Sequence, residues 1–196
     1  MKTRKHRVSD ILTAIGIALV ALSVSAVMIS FIAQKSAAKK ATAIASELRA
    51  LVPETQSGFP DERQNTAMPT AQIGGVDYVG VIDIPAYGTF LPVRADWKPW
   101  RISSCPCKLT GSTWGGNLII GGSDAEGQFD FMKFITGGDR VFVTDASGVC
   151  FSYRVTDIIR TDNASVESLI TDEDDLVIFV KNTYSFGYTA VRCKSE

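Results

Sequence analysis

Five consecutive apolar residues, 176–180, sit inside the C-terminal stretch DLVIFVKNTYSFGYTAVRC, and four of the five are β-branched or aromatic. A run this short and this unbroken reads as a central strand buried on both faces, because no solvent-facing side forces alternation. It stops at Lys181 and Asn182, a charged and a polar residue at the end of a buried strand. A turn around 185–187 and a second strand over 188–192 are expected to follow. Such a strand can present side chains from a rigid base to a loop.

The 196 residues leave room for one domain with appendages. Apolar content of 45% and charged content of 21% are those of a folded protein. The net charge of −1 hides an asymmetry: residues 1–50 carry eight Lys/Arg against Asp10 and Glu47, whereas from residue 73 onward 11 basic residues face 16 acidic ones. The acidic part argues against nucleic acid as a partner, and the basic end suits a membrane flank. Residues 11–33 carry no charge over 23 positions, about 34 Å of helix, which predicts an uncleaved transmembrane helix. The apolar core of a cleaved signal peptide is shorter, ~7–15 residues. Residues 1–10 form a basic N-terminus expected to be cytoplasmic, which places the remainder at the cell membrane as a single-pass, extracytoplasmic domain. Residues 34–72 read as a juxtamembrane helix with a thin stripe of Ile44, Leu48 and Leu51, then a Pro-rich linker.

The domain proper, 73–196, shows short strands at 78–84, 91–93, 117–120, 140–144, 150–159, 176–180 and 188–192. Single helical turns are expected at 129–134 and 165–170. Many short strands between Gly-rich turns indicate an all-β barrel. The pair Gly121-Gly122 reads as a tight turn allowing close backbone approach rather than a phosphate nest, since no helix signal follows. Residues 145–148 read as a hairpin turn. The acidic run 172–175 lacks calcium-loop spacing and reads as a solvated charge cluster. Trp97, Trp100 and Trp114 read as core or loop anchors. His6 is the sole histidine and Cys105-Pro-Cys107 is one residue short of a zinc-knuckle gap, so no metal or cofactor is expected.

Four segments together carry a resemblance. YVGVIDIPAYGTFLPV (78–93) looks like an opening strand with a Gly-x-Ile-x-Ile-Pro pattern, followed by a short strand ending in Leu-Pro-Val. CKLTGSTWGGNLIIGGSD (107–124) resembles a strand that ends in Ile-x-Gly-His. QFDFMKFITGGDRVFVTDASGVCFSYRV (128–155) is similar to a short helix, a Gly-Asp turn and a long hairpin. DLVIFVKNTYSFGYTAVRC (175–193) resembles a strand ending in Leu-x-Thr-Cys-Thr, a loop, and a strand bearing an Arg. In this combination the chain resembles the sortases, the membrane-anchored cysteine transpeptidases of Gram-positive bacteria, class B in particular. The resemblance implies a closed β-barrel with short helices behind an N-terminal transmembrane helix.

It also implies a site. In the family a Cys thiolate attacks a backbone carbonyl of a sorting signal, a His moves the proton, and an Arg stabilises the oxyanion. Here Ser123 stands at the His position and Tyr188 at the Arg position. Lys181 stands at the Cys position, or Asn182 if the alignment shifts by one residue. All three catalytic side chains are therefore expected to be missing. A structural disulfide is expected instead, Cys107 with Cys193, with Cys105 and Cys150 as a second pair; unbonded buried thiols are the alternative. The expectation is a pseudoenzyme that binds an extended peptide or sorting-signal ligand, cell-wall or pilus proteins, or serves as accessory to an active sortase. Two alternatives stay open: an acyl-transfer or hydrolytic enzyme in which Lys181 activates Ser123, and a purely structural membrane-anchored domain.

Overall fold

The computed structural model describes residues 3–51, 56–57, 67–162, 173–182 and 187–196, with side chains placed over 15–29, 39–50, 67–162, 173–182 and 187–196. The expected turn at 165–170 lies outside them. One helix, α1, covers Thr3–Leu51, and the chain divides into two compact units, Met1–Ser36 and Ala37–Glu196.

In the first unit Ile15, Leu19, Leu22, Val27 and Ile29 are all more than half exposed. The hydroxyls of Ser23 and Ser25 donate to the carbonyls of Leu19 and Ala21, both at 2.8 Å, so even the polar side chains turn back onto the helix backbone. Among the described residues no helix is long and apolar enough to cross a membrane. The ends of the expected span, 11–14 and 30–33, lie outside the described side chains.

The second unit begins with the last turns of α1. Ala41, Ala45 and Leu48 are buried, the i, i+4, i+7 spacing of one helical face. Ala45 and Leu48 pack with Tyr78 and Val81, flanked by Ile44 and Phe90, and the Arg49 guanidinium lies 5.5 Å from the Phe90 ring centroid. The expected stripe is thus present at Ile44 and Leu48, while Leu51 lies outside the described side chains. The two alanines complete the contact because their small side chains let the helix approach the sheet.

Among the described residues ten strands follow: β1 Gln56–Ser57, β2 Ala71–Ile73, β3 Val76–Ile84, β4 Thr89–Arg94, β5 Cys107–Ser112, β6 Gly116–Ser123, β7 Arg140–Asp145, β8 Val149–Thr161, β9 Leu176–Lys181 and β10 Tyr188–Ser195. Their lateral order is β1-β8-β10-β9-β6-β5-β4-β3-β2, and β7 bridges β3 and β8. That bridge closes β3 to β10 into an eight-strand barrel, with β1 and β2 as short additions outside the ring. The β6–β9 and β4–β5 pairs are parallel. Two short 3-10 helices, Pro85–Tyr87 and Asp130–Lys133, lie on connections, the second within the expected 129–134 turn.

Leu176, Ile178 and Val180 join Leu118, Ile120 and Phe151 in the barrel interior. Val177 and Phe179 join Ile119 and Ala190 on the opposite face. All five residues of the run are at most 1% exposed, as its lack of alternation predicts. Burying each such side chain contributes about 2 kcal/mol.

Several expectations are corrected. Gly121, Gly122 and Ser123 are strand residues of β6 rather than a turn. Of the acidic run, Asp174 and Asp175 are buried, not solvated: Asp175 Oδ2 accepts from Ser195 N and Oγ at 2.9 and 2.8 Å, and Asp174 Oδ2 lies 3.4 Å from Arg192 Nε. Trp97 and Trp114 are anchors, against Phe179 and Phe151, but Trp100 is 73% exposed and anchors nothing.

The disulfides are also absent, all four cysteines being free. Cys107 is on β5 and Cys193 on β10, with β6 and β9 between them. Three inter-strand steps amount to about 14 Å along the sheet, against a Cα separation of ~7 Å at most for a bridge. Cys105 donates its thiol to Pro92 O at 3.3 Å, whereas Cys150 pairs across β7 and β8 with Thr144.

Candidate functional site

The parallel register of β6 and β9 pairs Ser123 with Lys181, and the antiparallel register of β9 and β10 pairs Lys181 with Tyr188. Residues paired laterally share a face of the sheet. Ser123, Lys181 and Tyr188 therefore form one row across three adjacent strands. Counting back in twos along β6 and β9 leads through Gly121 and Phe179 to Ile119 and Val177, so the row belongs to the outer, apolar face. Tyr188 itself packs on that cluster. Asn182 is one residue further along and turns to the other side, where Thr189 Oγ1 donates to its Oδ1 at 3.4 Å. Of the two aligned candidates, Lys181 alone shares a face with Ser123 and Tyr188.

The row is held from both ends. Asp124 N donates to Lys181 O at 3.3 Å, and Asn182 N to Gly187 O at 3.0 Å. Beyond β6 the chain doubles back: Phe129 N donates to Ser123 O at 3.2 Å, and Ser123 N donates to Gln128 Oε1 at 2.7 Å. Gln128 is buried at the site and was not singled out in the sequence, where a lone glutamine between a Gly and a Phe carries no signal. The glycine pair did point here. A Cβ on Gly122 would stand 2.4 Å from the Phe129 ring and 2.7 Å from Gln128 Oε1, and one on Gly121 would stand 2.4 Å from Phe179 and 2.5 Å from Trp97. Both glycines are required by neighbouring side chains rather than by a turn. The Trp97 and Phe179 rings meet with centroids 5.3 Å apart in a cluster next to the row, where Phe179 is fully buried and Trp97, Leu109 and Ile159 pack over it half-buried.

The three members differ in environment. Ser123 is 6% exposed and its Oγ finds no hydrogen-bond partner among the described residues. Lys181 is exposed, so the desolvation that lets a lysine serve as a base is not met there. Tyr188 is half-buried. No cysteine lies in the row. Cys193 pairs with Leu176, at the opposite end of β9 from Lys181, five residues or about 17 Å away. Burial pushes its thiol upward, with Asp174 adding to the effect. Burial likewise pushes Cys105 up to about 12, helped by Cys107. Such thiols are inert as nucleophiles at neutral pH. Among the described residues no group of His, Cys, Asp or Glu could hold a metal ion.

With four unbonded thiols, unfolding in denaturant without reductant is expected to expose four groups reactive to a thiol reagent. Recovery of only two would mean that a pair is oxidised.

No protein-family model matches this chain, and no curated protein does. Solved structures do. Sortase C1 of GBS Pilus Island 1 superposes with a TM-score of 0.53 at 18% identity, over 61% of this chain and 64% of that one. The fold is that of the sortases. Sortase C from Clostridium perfringens SM101 gives a TM-score of 0.52 at 19% identity, over 61% and 70% of the two chains. Sortase C1 from Streptococcus agalactiae gives 0.53 at 18%, over 64% and 70%. The chain thus spans somewhat under two thirds of the length of the first of these sortases. At such identities the likeness establishes the sortase fold and leaves activity to be argued from the site. The solved neighbours are class C sortases, whereas the sequence motifs resemble class B.

Proposed function

We propose that the protein is a membrane-anchored sortase-fold pseudoenzyme that binds an extended peptide at the outer face of β6, β9 and β10, without cysteine transpeptidase chemistry. The observation that carries this reading is the register: Lys181 stands between Ser123 and Tyr188, where the resemblance calls for a thiol between an imidazole and a guanidinium. A lysine there cannot form a thioacyl intermediate, and the buried thiols lie off the row. What remains is an intact strand end bearing polar side chains, with the partly exposed Trp97, Leu109 and Ile159 on the same face, where strand edges and apolar side chains can hold an extended peptide. The role is binding at the cell surface, of a sorting-signal peptide or of cell-wall or pilus proteins, or accessory to an active sortase. The uncharged run 11–33 supports a single membrane span with the barrel outside the cell. Its described part, exposed, apolar and with serines bonded back to the helix, fits surroundings of lipid.

The test uses the full-length chain in detergent micelles, N-terminally labelled random octapeptides, and glycinamide as acceptor amine. Saturable binding without any peptide–glycinamide product is expected. Product formation would make the protein an enzyme, and absence of binding would leave a structural domain.

A further inference from the structure

Charge is segregated within 73–196. Its 11 basic residues face 16 acidic ones, yet the stretch 94–108 holds Arg94, Lys98, Arg101 and Lys108 against Asp96 alone. At its centre Lys98-Pro99-Trp100-Arg101 forms a turn, closed by Arg101 N donating to Lys98 O at 2.8 Å, with proline at the position its fixed φ suits. Arg101 O in turn accepts from Ser104 N at 2.9 Å and Cys105 N at 3.2 Å, and Ile102 is 4% exposed. On the other side Asp96 pairs with Arg94 at 2.9 Å, Arg101 at 2.5 Å and Lys98 at 3.7 Å. The turn is thus fixed from both flanks, and its tip carries Trp100 at 73% exposure, more than any other large apolar side chain among the described residues.

A protein partner would meet such an indole within a wider apolar patch. Here the surroundings in the loop are polar: the side chains of Lys98 and Arg101 are 40% and 35% exposed, and Ser103 and Ser104 are exposed. A single indole among cations suits the headgroup zone of a bilayer, where the amphipathic ring sits at headgroup level and the cations meet lipid phosphates. Arg94, Lys98 and Arg101 share one carboxylate, which leaves a surplus of positive charge at the turn, so the surface it fits is anionic. A bilayer is also within reach. Cys105, at the end of the loop, packs on the cluster of Ala45 and Leu48, and Ala45 follows the uncharged run 11–33 by 12 residues, about 40 Å of chain even at full extension. We propose that the turn 98–101 docks on an anionic lipid surface, with the Trp100 ring among the headgroups and Lys98 and Arg101 on the lipid phosphates. This rests on the membrane-anchored reading above and adds to it a second, reversible contact made by the barrel domain itself.

The experiment reconstitutes the full-length chain in vesicles of phosphatidylcholine, alone or mixed with phosphatidylglycerol, with acyl chains brominated near the headgroup so that they quench nearby indoles. The part of the quenching that disappears in Trp100→Phe reports Trp100. It is expected to be at least about twofold larger in the anionic vesicles than in the neutral ones. Lys98→Gln and Arg101→Gln should each lower the ratio of docked to free turn about fivefold, the scale of one cation at an anionic surface, and added salt should act in the same direction. Lys133→Gln, exposed on the second 3-10 helix, should leave the ratio unchanged. Lys98 holds Asp96 only at 3.7 Å, so its replacement should keep the circular dichroism spectrum of the parent and carries the test if Arg101→Gln disturbs the loop. Equal quenching in the parent and Trp100→Phe, with the protein floating with the vesicles, would overturn the docking turn while leaving the membrane anchor standing. Equal Trp100 quenching in neutral and anionic vesicles would overturn the anionic assignment. Failure of the protein to float with vesicles of either kind would overturn both readings.

Discussion

Gly80→Ala is expected to lower stability by about 4 kcal/mol or more, the range reserved for backbone strain and clash in a core. Gly80 lies at an irregularity in the β3–β4 register and pairs with Asp145 of β7, on the seam that closes the barrel. Its φ of +148° is one that side-chain-bearing residues rarely adopt. A Cβ built there would stand 2.0 Å from Thr144 O and 2.8 Å from Asp145 Cα. Both obstacles are backbone, so no rotamer change relieves them, and accommodating the methyl means parting β3 from β7. In urea the midpoint should fall by about 2 M at the slope usual for a domain of this size. Gly137, with nothing within 4 Å of a built Cβ, is the control, and its alanine variant should stay within about 0.5 kcal/mol of the parent. A Gly80→Ala midpoint indistinguishable from that control would show that the seam is not closed as described.

Asp145→Ala is expected to cost about 3 kcal/mol by stranding several donors at once. Asp145 is 1% exposed. Its Oδ2 accepts from Trp114 Nε1 at 2.8 Å. Its Oδ1 accepts from Ser147 N at 2.9 Å, Ser147 Oγ at 2.6 Å and Val149 N at 3.1 Å. One carboxylate thus fixes the β7–β8 turn and ties it to the β5–β6 connection that carries Trp114. Asparagine keeps one acceptor oxygen but turns an amide toward donors on the other side, so Asp145→Asn should fall between the two. Urea unfolding followed by near-ultraviolet circular dichroism measures both. An alanine variant within about 0.5 kcal/mol of the parent would mean that the turn is held by its backbone bond from Gly148 N to Asp145 O alone.

The fold was legible wherever burial leaves a mark on one segment. Residues 176–180 announce a strand buried on both faces because both faces took apolar residues, and the turn at 145–148 is written in its Asp, Ser and Gly. β5 escaped notice since CKLTGS is polar and mostly half-exposed; it is a strand because β6 lies beside it. The strand character of Gly121 and Gly122 was hidden for a related reason. Glycine reads as a turn locally, whereas here it makes room for Trp97, Phe179 and Phe129 from distant parts of the chain. Burial of Asp175 depends on donors from Ser195, twenty residues on, and the cysteine pairing depends on strand order, neither of which a local pattern records. At the site, the alignment offered Lys181 or Asn182, and only strand register separates them by face. The empty hydrogen-bonding capacity of Ser123 is a property of packing, invisible in the sequence.

The most direct measurement is the intact mass of the full-length protein after incubation with the labelled octapeptides, with and without glycinamide. If the Ser123–Lys181–Tyr188 row binds peptide without covalent chemistry, the protein mass stays unchanged at every peptide concentration that saturates binding, and glycinamide makes no difference. An acyl adduct on Ser123 or on any of the four cysteines, discharged by glycinamide, would contradict it.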